Sequence, residues 1–416
     1  MRRLLENIRQ LHRVAARREL RKYGKEMADS AMIENAYVLI EDGIIQAVGP
    51  MAEIDPSHRN AGEVIDCEER LVLPGFVDSH THLVFARSRA TEYVDRIKGM
   101  TYEEIARNGG GILASARRLQ AMEEEELLES AVARAWEILS WGTTTVEIKS
   151  GYGLTVADEL KMLRVARRIG EWCPIRIKTT LLGAHAVPLE FKDNRSGYVD
   201  LVVNEMIPRA AEEKLADFVD VFCDQGFFTV AETARILDAG ARHGLPGKIH
   251  ANELANSGGV QVGVASGALS VDHLECIGPE EIAVLLRSQT IPTALPGCSF
   301  FLGIPFAPGR EMIDAGLPLC IASDFNPGSS PGGNMQFMMS LACTRMKLLP
   351  EEALAAATLN GAAALGMSHE IGSIEPGKRA DLVVTAPMEG LAEMPYYFCR
   401  DQVETVFIQG MEVGAE

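Results

Sequence analysis

The two ends of the chain share one hydrophobic rhythm and the middle has another. Residues 36–49, AYVLIEDGIIQAVG, set two β-rich runs around Asp42-Gly43, a dipeptide suited to a tight hairpin turn at positive φ. Residues 64–73, VIDCEERLVL, continue in the same style. IGSIEPGKRADLVV (371–384) and VETVFIQGMEV (403–413) repeat it near the other terminus. In the middle, eight short apolar runs alternate with amphipathic segments. The runs lie at 76–85, 143–150, 177–187, 218–224, 248–253, 269–275, 291–297 and 317–324. The segment 123–141 is typical of the rest: Leu128, Val132, Ala135 and Leu139 share one helical face, and Gly142 follows as a stop. Eight β-then-α units predict an α/β fold, a (β/α)8 TIM-like barrel over 75–365. A small β-sandwich domain is expected from both termini, 1–74 and 366–416. A doubly wound sheet would carry a glycine-rich fingerprint after its first strand, but that strand ends in His-Thr-His, and no GxGxxG or GxxxxGK[ST] occurs.

Charge narrows the partners. The chain has 40 Lys+Arg against 58 Asp+Glu, a formal net charge of -18, the wrong balance for nucleic acid. Residues 1–25 reverse the trend with nine basic and two acidic side chains. That start looks helix-like; an Arg-rich, acid-poor stretch can mimic an organellar transit peptide, but a solvated basic face is the expectation for it. No run approaches a membrane span and no apolar leader region opens the chain, so a cytoplasmic protein without a membrane partner is expected. The eight cysteines never come closer than 22 residues, which reads as free thiols in a reducing compartment.

The candidate chemistry follows the strand ends. Of nine histidines, His80, His82, His185, His250 and His273 fall at or just past the C-terminal ends of predicted strands, where a (β/α)8 barrel keeps its active site. His80 and His82, at i and i+2, share a strand face and can chelate one metal. His250 and Asp324 could complete a zinc or iron site with a position left open. A metal there would lower the pKa of water and give a nucleophile near neutral pH. Glu253, three residues after His250, can reach that water. Its plainer reading is a helix-start acid. His273 could serve as proton shuttle or oxyanion donor. Asp272 and Glu275 beside it read as ordinary strand and loop residues, and Arg89 on its own reads as a surface arginine.

PGFVDSHTH at 74–82, His250 in KIHANE, His273 in VDHLE and Asp324 in IASD together resemble the amidohydrolase superfamily, over about residues 30–413. A finer set resembles the imidazolonepropionase family: Arg89 in FARSRATEY, Tyr102, KSGYGL at 149–154, LLGAHAVP at 181–188, HANE at 250–253 and SDFNPGSSP at 323–331. The resemblance implies hydrolysis of 4-imidazolone-5-propanoate to N-formimino-glutamate with one divalent or trivalent metal, zinc or iron. It places substrate contacts on Arg89, Tyr152, His185, Glu253, Asn326, Gly328 and Ser329. Arg89 would take the propionate carboxylate, helped by Tyr102 or Tyr152, and Gly328 and its neighbours would offer backbone N–H groups. The catalytic set is Glu253, His273 and Asp324, with either Glu253 or His273 as general base. A homodimer is the expected assembly. Three rivals remain. A deaminase shares the His and Asp pattern but not the anion-binding residues. A binuclear amidase needs a bridging lysine on the fourth strand, whereas Lys149 lies on the second. An inactive scaffold would have lost ligands.

Overall fold

The computed structural model describes residues 1–16, 18–100, 104 and 110–414. The barrel strands are β6 (Phe76–Thr81), β7 (Thr143–Lys149), β8 (Arg176–Ala184), β9 (Phe218–Cys223), β10 (Gly247–Ala251), β11 (Ser270–His273), β12 (Ile291–Ala294) and β13 (Cys320–Ile321). Each lies within, or starts one residue before, one of the eight predicted runs. They form one parallel sheet in sequential order from β6 to β13. It closes through the segment after β13: His82 N–H donates to Phe325 O at 2.9 Å, and Asp324 N–H to His80 O at 3.0 Å. The helix Glu124–Ser140 packs Leu128, Ala135 and Leu139 against Val146 and Ile148 of β7. Gly142, at φ 94°, then turns the chain, and its carbonyl accepts from Phe76 N–H at 2.9 Å.

Period-two alternation sorts the strand residues. Val219, Val221, Ile249, Ala251 and Val271 belong to the apolar core packed under the surrounding helices. The alternate residues Glu147, Lys149, Asp220, Lys248 and Asp272 make ion pairs with one another across the barrel interior, all fully buried. A barrel interior is ordinarily filled by branched apolar side chains. Here it carries charge directly beneath the histidines.

The terminal strands form the second sheet: β1 (Arg2–Leu11), β2 (Ile33–Glu41), β3 (Ile44–Pro50), β4 (Glu63–Asp66), β5 (Leu71–Pro74), β14 (Leu382–Thr385), β15 (Val403–Ile408) and β16 (Met411–Val413). All eight are hydrogen-bonded into one mixed sheet built from both chain ends. The β2–β3 hairpin turns at Asp42 and Gly43, both at positive φ (50° and 79°). The run 64–73 is split into two strands where Glu68 and Glu69 take positive φ.

The first 25 residues differ from the expectation. β1 is a strand paired with β2, β4 and β5. Leu4, Leu5, Ile8 and Leu11 are buried: a register shift between Leu5 and Ile8, with Asn7 at φ 55°, lets Leu5, Ile8 and Leu11 pack in one cluster, while Leu4 packs separately with Tyr37 and Leu39. The basic face is only partly solvated. Arg3 pairs with Glu63 at 2.5 Å, and Lys22 is buried, its backbone N–H on Asn360 Oδ1 at 2.8 Å. The described cysteines form no disulfide. No described helix is long and apolar enough to cross a membrane.

Candidate active site

Strand geometry brings the predicted histidines together. His80 lies in β6, His82 one residue past it, His185 directly after β8, His250 in β10 and His273 at the end of β11. His82 Nε2 and His250 Nε2 are 3.4 Å apart, and Asp324 Oδ1 stands 3.6 Å from His80 Nε2 and 3.7 Å from His82 Nε2. His80 Nε2 is buried without a hydrogen-bond partner. Burial, helped by neighbouring Lys149, holds the His80 ring well below the ordinary imidazole range; burial and the neighbouring His185 do the same for His82. Both rings are therefore neutral, the form that ligates metals. Burial also pushes the Asp324 carboxyl up to about 7, against the pull of His273. Neutral imidazole edges and a buried carboxylate turned toward one another, with an orphaned nitrogen among them, fit one divalent transition-metal ion.

Behind the rings stand carboxylates that strand position alone did not single out. Asp272 is not an ordinary strand residue: its Oδ2 accepts from His80 Nδ1–H at 2.7 Å. Asp220 Oδ2 lies 3.0 Å from His250 Nδ1. Burial opposes ionisation of Asp220, but Lys149 and His250 together hold it well below the usual carboxylate range. Such contacts fix the ring tautomers and leave each Nε2 lone pair free. Glu275 is not a plain loop acid either. It is buried, with Oε2 3.6 Å from His273 Nδ1, and Ser299 Oγ–H donates to its other oxygen at 3.0 Å. A signal for Asp220 was available in the sequence, as a carboxylate within an otherwise apolar strand.

Glu253 sits in the turn after β10, ahead of the helix Gly259–Ala265, so it is not a helix-start acid. Asp224 builds that turn. Its carboxylate accepts from Glu253 N–H and Leu254 N–H, both at 2.8 Å, and from Ser257 Oγ–H at 2.6 Å. Glu253 Oε2 is 3.6 Å from His273 Nε2. Burial raises the Glu253 pKa. Burial opposes charge on His273, yet Glu253 and Glu275 together raise it to about 10. His273 and Asp324 both sit at positive φ (87° and 55°), strained backbone of the kind that clusters at functional sites.

A cavity of about 320 Å³ opens on this group, and Arg89 also lines it. Arg89 is buried, contrary to its reading as a surface residue. Its Nε–H donates to Ser115 Oγ at 2.9 Å, its Nη2 is buried without a partner, and its guanidinium faces the Tyr152 ring 5.7 Å away. Arg96, which sequence reasoning missed, lines the same cavity and donates to Gly328 O at 2.5 Å. His185 stacks on His82, with centroids 5.2 Å apart, and its Nδ1–H donates to Gly151 O at 2.9 Å. Asn326, Gly328 and Ser329 line the cavity, but the Gly328 and Ser329 N–H groups are already taken by Asn326 Oδ1, at 2.7 and 2.8 Å. Ser329 Oγ–H donates to Asp324 Oδ2 at 3.2 Å, so the loop braces Asp324 and does not present free N–H groups. Tyr102 lies outside the described residues.

Residues 71–413 match the amidohydrolase family. An imidazolonepropionase of Flavobacterium johnsoniae is 50% identical over 407 residues, 98% of each chain. Another, from Geobacillus thermodenitrificans, is 46% identical over 378 residues, 90% of this chain and 89% of that one. Among solved structures, the atrazine chlorohydrolase of Arthrobacter aurescens complexed with zinc superposes with a TM-score of 0.72 at 16% identity, covering 99% of this chain and 94% of that one. A guanine deaminase from C. acetobutylicum reaches 0.72 at 16% identity over the full length of both. These two share the fold. With near-full-length identity at this level, the chain is an amidohydrolase and belongs to the imidazolonepropionase family.

Proposed function

We propose that this chain hydrolyses the ring amide C–N bond of 4-imidazolone-5-propanoate to N-formimino-L-glutamate, with one divalent metal held by His80, His82, His250 and Asp324. The observation that carries this reading is the layout of the cavity. His82, His250, His273 and Asp324 line one cavity together with Arg89 and Arg96. A planar ring with a carboxylate tail fits between them, the tail on Arg89 as a charge-assisted pair. When bound, the metal supplies Lewis acidity, lowering the pKa of water and polarising the ring carbonyl.

The remaining work falls to side chains. Glu253, with its raised pKa, takes a proton from the attacking water as the new C–O bond forms. His273, cationic between Glu253 and Glu275, donates to the developing oxyanion, an interaction stronger in the transition state than in the ground state. Glu253 then delivers its proton to the ring nitrogen as the C–N bond breaks, and the former carbonyl becomes the α-carboxylate, the second proton of the water passing to solvent. The raised pKa of His273 favours Glu253 over His273 as the base. Glu253→Gln keeps size and hydrogen bonding but cannot accept a proton, so kcat should fall by roughly a hundred- to ten-thousandfold with metal content retained. A near-normal kcat in Glu253→Gln, together with collapse in His273→Asn, would reverse the two roles.

A further inference from the structure

We propose that Lys149 is a positioning residue for the histidine group, its ammonium aiming the carboxylates of Asp220 and Asp272 at His250 and His80. Lys149 Nζ lies 2.9 Å from Asp220 Oδ2 and 3.8 Å from Asp272 Oδ2. These are the same oxygens that stand 3.0 Å from His250 Nδ1 and 2.7 Å from His80 Nδ1. One cation thus ties together the two carboxylates that stand behind the rings, whose Nε2 atoms point to Asp324 in His80 and to His82 in His250. Lys149 is fully buried and does not line the cavity, so it acts only through other residues. Lys248 is no substitute. Its ammonium is engaged by Ser79 O at 3.1 Å and Ser270 Oγ at 2.8 Å, and reaches only Asp272, at 3.6 Å.

A purely structural alternative exists on the same side chain. Lys149 Nζ also lies 2.8 Å from Glu147 Oε1, and could serve only to neutralise that buried acid. The double variant Lys149→Met/Glu147→Gln separates the two roles. It removes one buried charge of each sign, so it tests positioning without leaving Glu147 uncompensated. The variant and the parent are loaded with zinc, and affinity is read by competition with a chromophoric chelator. Cobalt replaces zinc for a ligand-field spectrum, and a circular-dichroism melt reports folding.

If Lys149 positions the histidines, the folded double variant binds zinc about 10- to 100-fold more weakly, the usual effect of losing such a supporting contact. Its cobalt spectrum shifts, while KM at saturating zinc stays at the parental value. Parental zinc affinity and an unchanged cobalt spectrum would overturn the proposal and leave Lys149 as a counter-charge for Glu147. The inference rests on the metal ligands of the proposed function but not on its substrate. A parent that binds zinc yet leaves 4-imidazolone-5-propanoate intact would sink the substrate reading alone. A parent that takes up no zinc would sink both.

Discussion

Gly328 is a glycine because Arg89 occupies the space its side chain would need: a Cβ there would collide with the guanidinium. The collision is with the end of a flexible side chain, so Gly328→Ala should leave the fold intact and push Arg89 aside. Arg89→Met removes the charge itself. A hydrogen bond to a charged group contributes roughly 1.5–3 kcal/mol, so KM should rise about ten- to a hundredfold in Arg89→Met, with a smaller rise in Gly328→Ala and little change in kcat. Steady-state kinetics on both variants checks this, and an unchanged KM in both would remove Arg89 from the substrate pocket. At this scale the sequence was most legible where residue type and strand position agreed. His80, His82, His250 and Asp324 lie side by side in the structure. Asp272 did not stand out, because what makes it matter is a neighbour from another strand, His80 Nδ1; Glu275 is only two residues from its partner, His273 Nδ1, and read as a plain loop acid.

At the scale of elements, alternation located all eight barrel strands and the Asp42-Gly43 hairpin. It failed at β1, where arginines at 2, 3 and 9 masked the buried Leu4, Leu5, Ile8 and Leu11, and where a register shift breaks the period. His12, the residue after β1, is buried, with Nδ1 2.8 Å from Ser30 Oγ, and burial lowers its pKa to about 4. The folded protein therefore holds His12 neutral, whereas the unfolded chain takes up a proton near pH 6.5. A depressed histidine favours the fold fully above pH 6.5, and that contribution is lost as pH falls toward 4, amounting to about 3 kcal/mol. The thermal midpoint of the parent minus that of His12→Gln should accordingly shrink between pH 7 and pH 4. A difference that stays constant over that range would show that His12 does not carry this acid sensitivity.

At the scale of the molecule, the two-part architecture was legible because the hydrophobic rhythm changes twice along the chain. The character of the barrel interior was not. Lys149, Lys248, Glu147, Asp220 and Asp272 each look like a polar residue within a β run, and only closure of the barrel turns them into one buried charged group beneath the histidines. The architecture therefore sets a buried charged group behind the histidines, and one cavity that the histidine and carboxylate group shares with Arg89 and Arg96, and the proposed activity needs all three. The most direct measurement is turnover of 4-imidazolone-5-propanoate by purified protein, followed by formation of N-formimino-glutamate, with metal content determined on the same sample. We expect about one divalent ion per chain, turnover that is lost on chelation and restored by adding the metal back. Turnover indifferent to chelators, two tightly held ions per chain, or no product from a fully metallated sample would contradict the account.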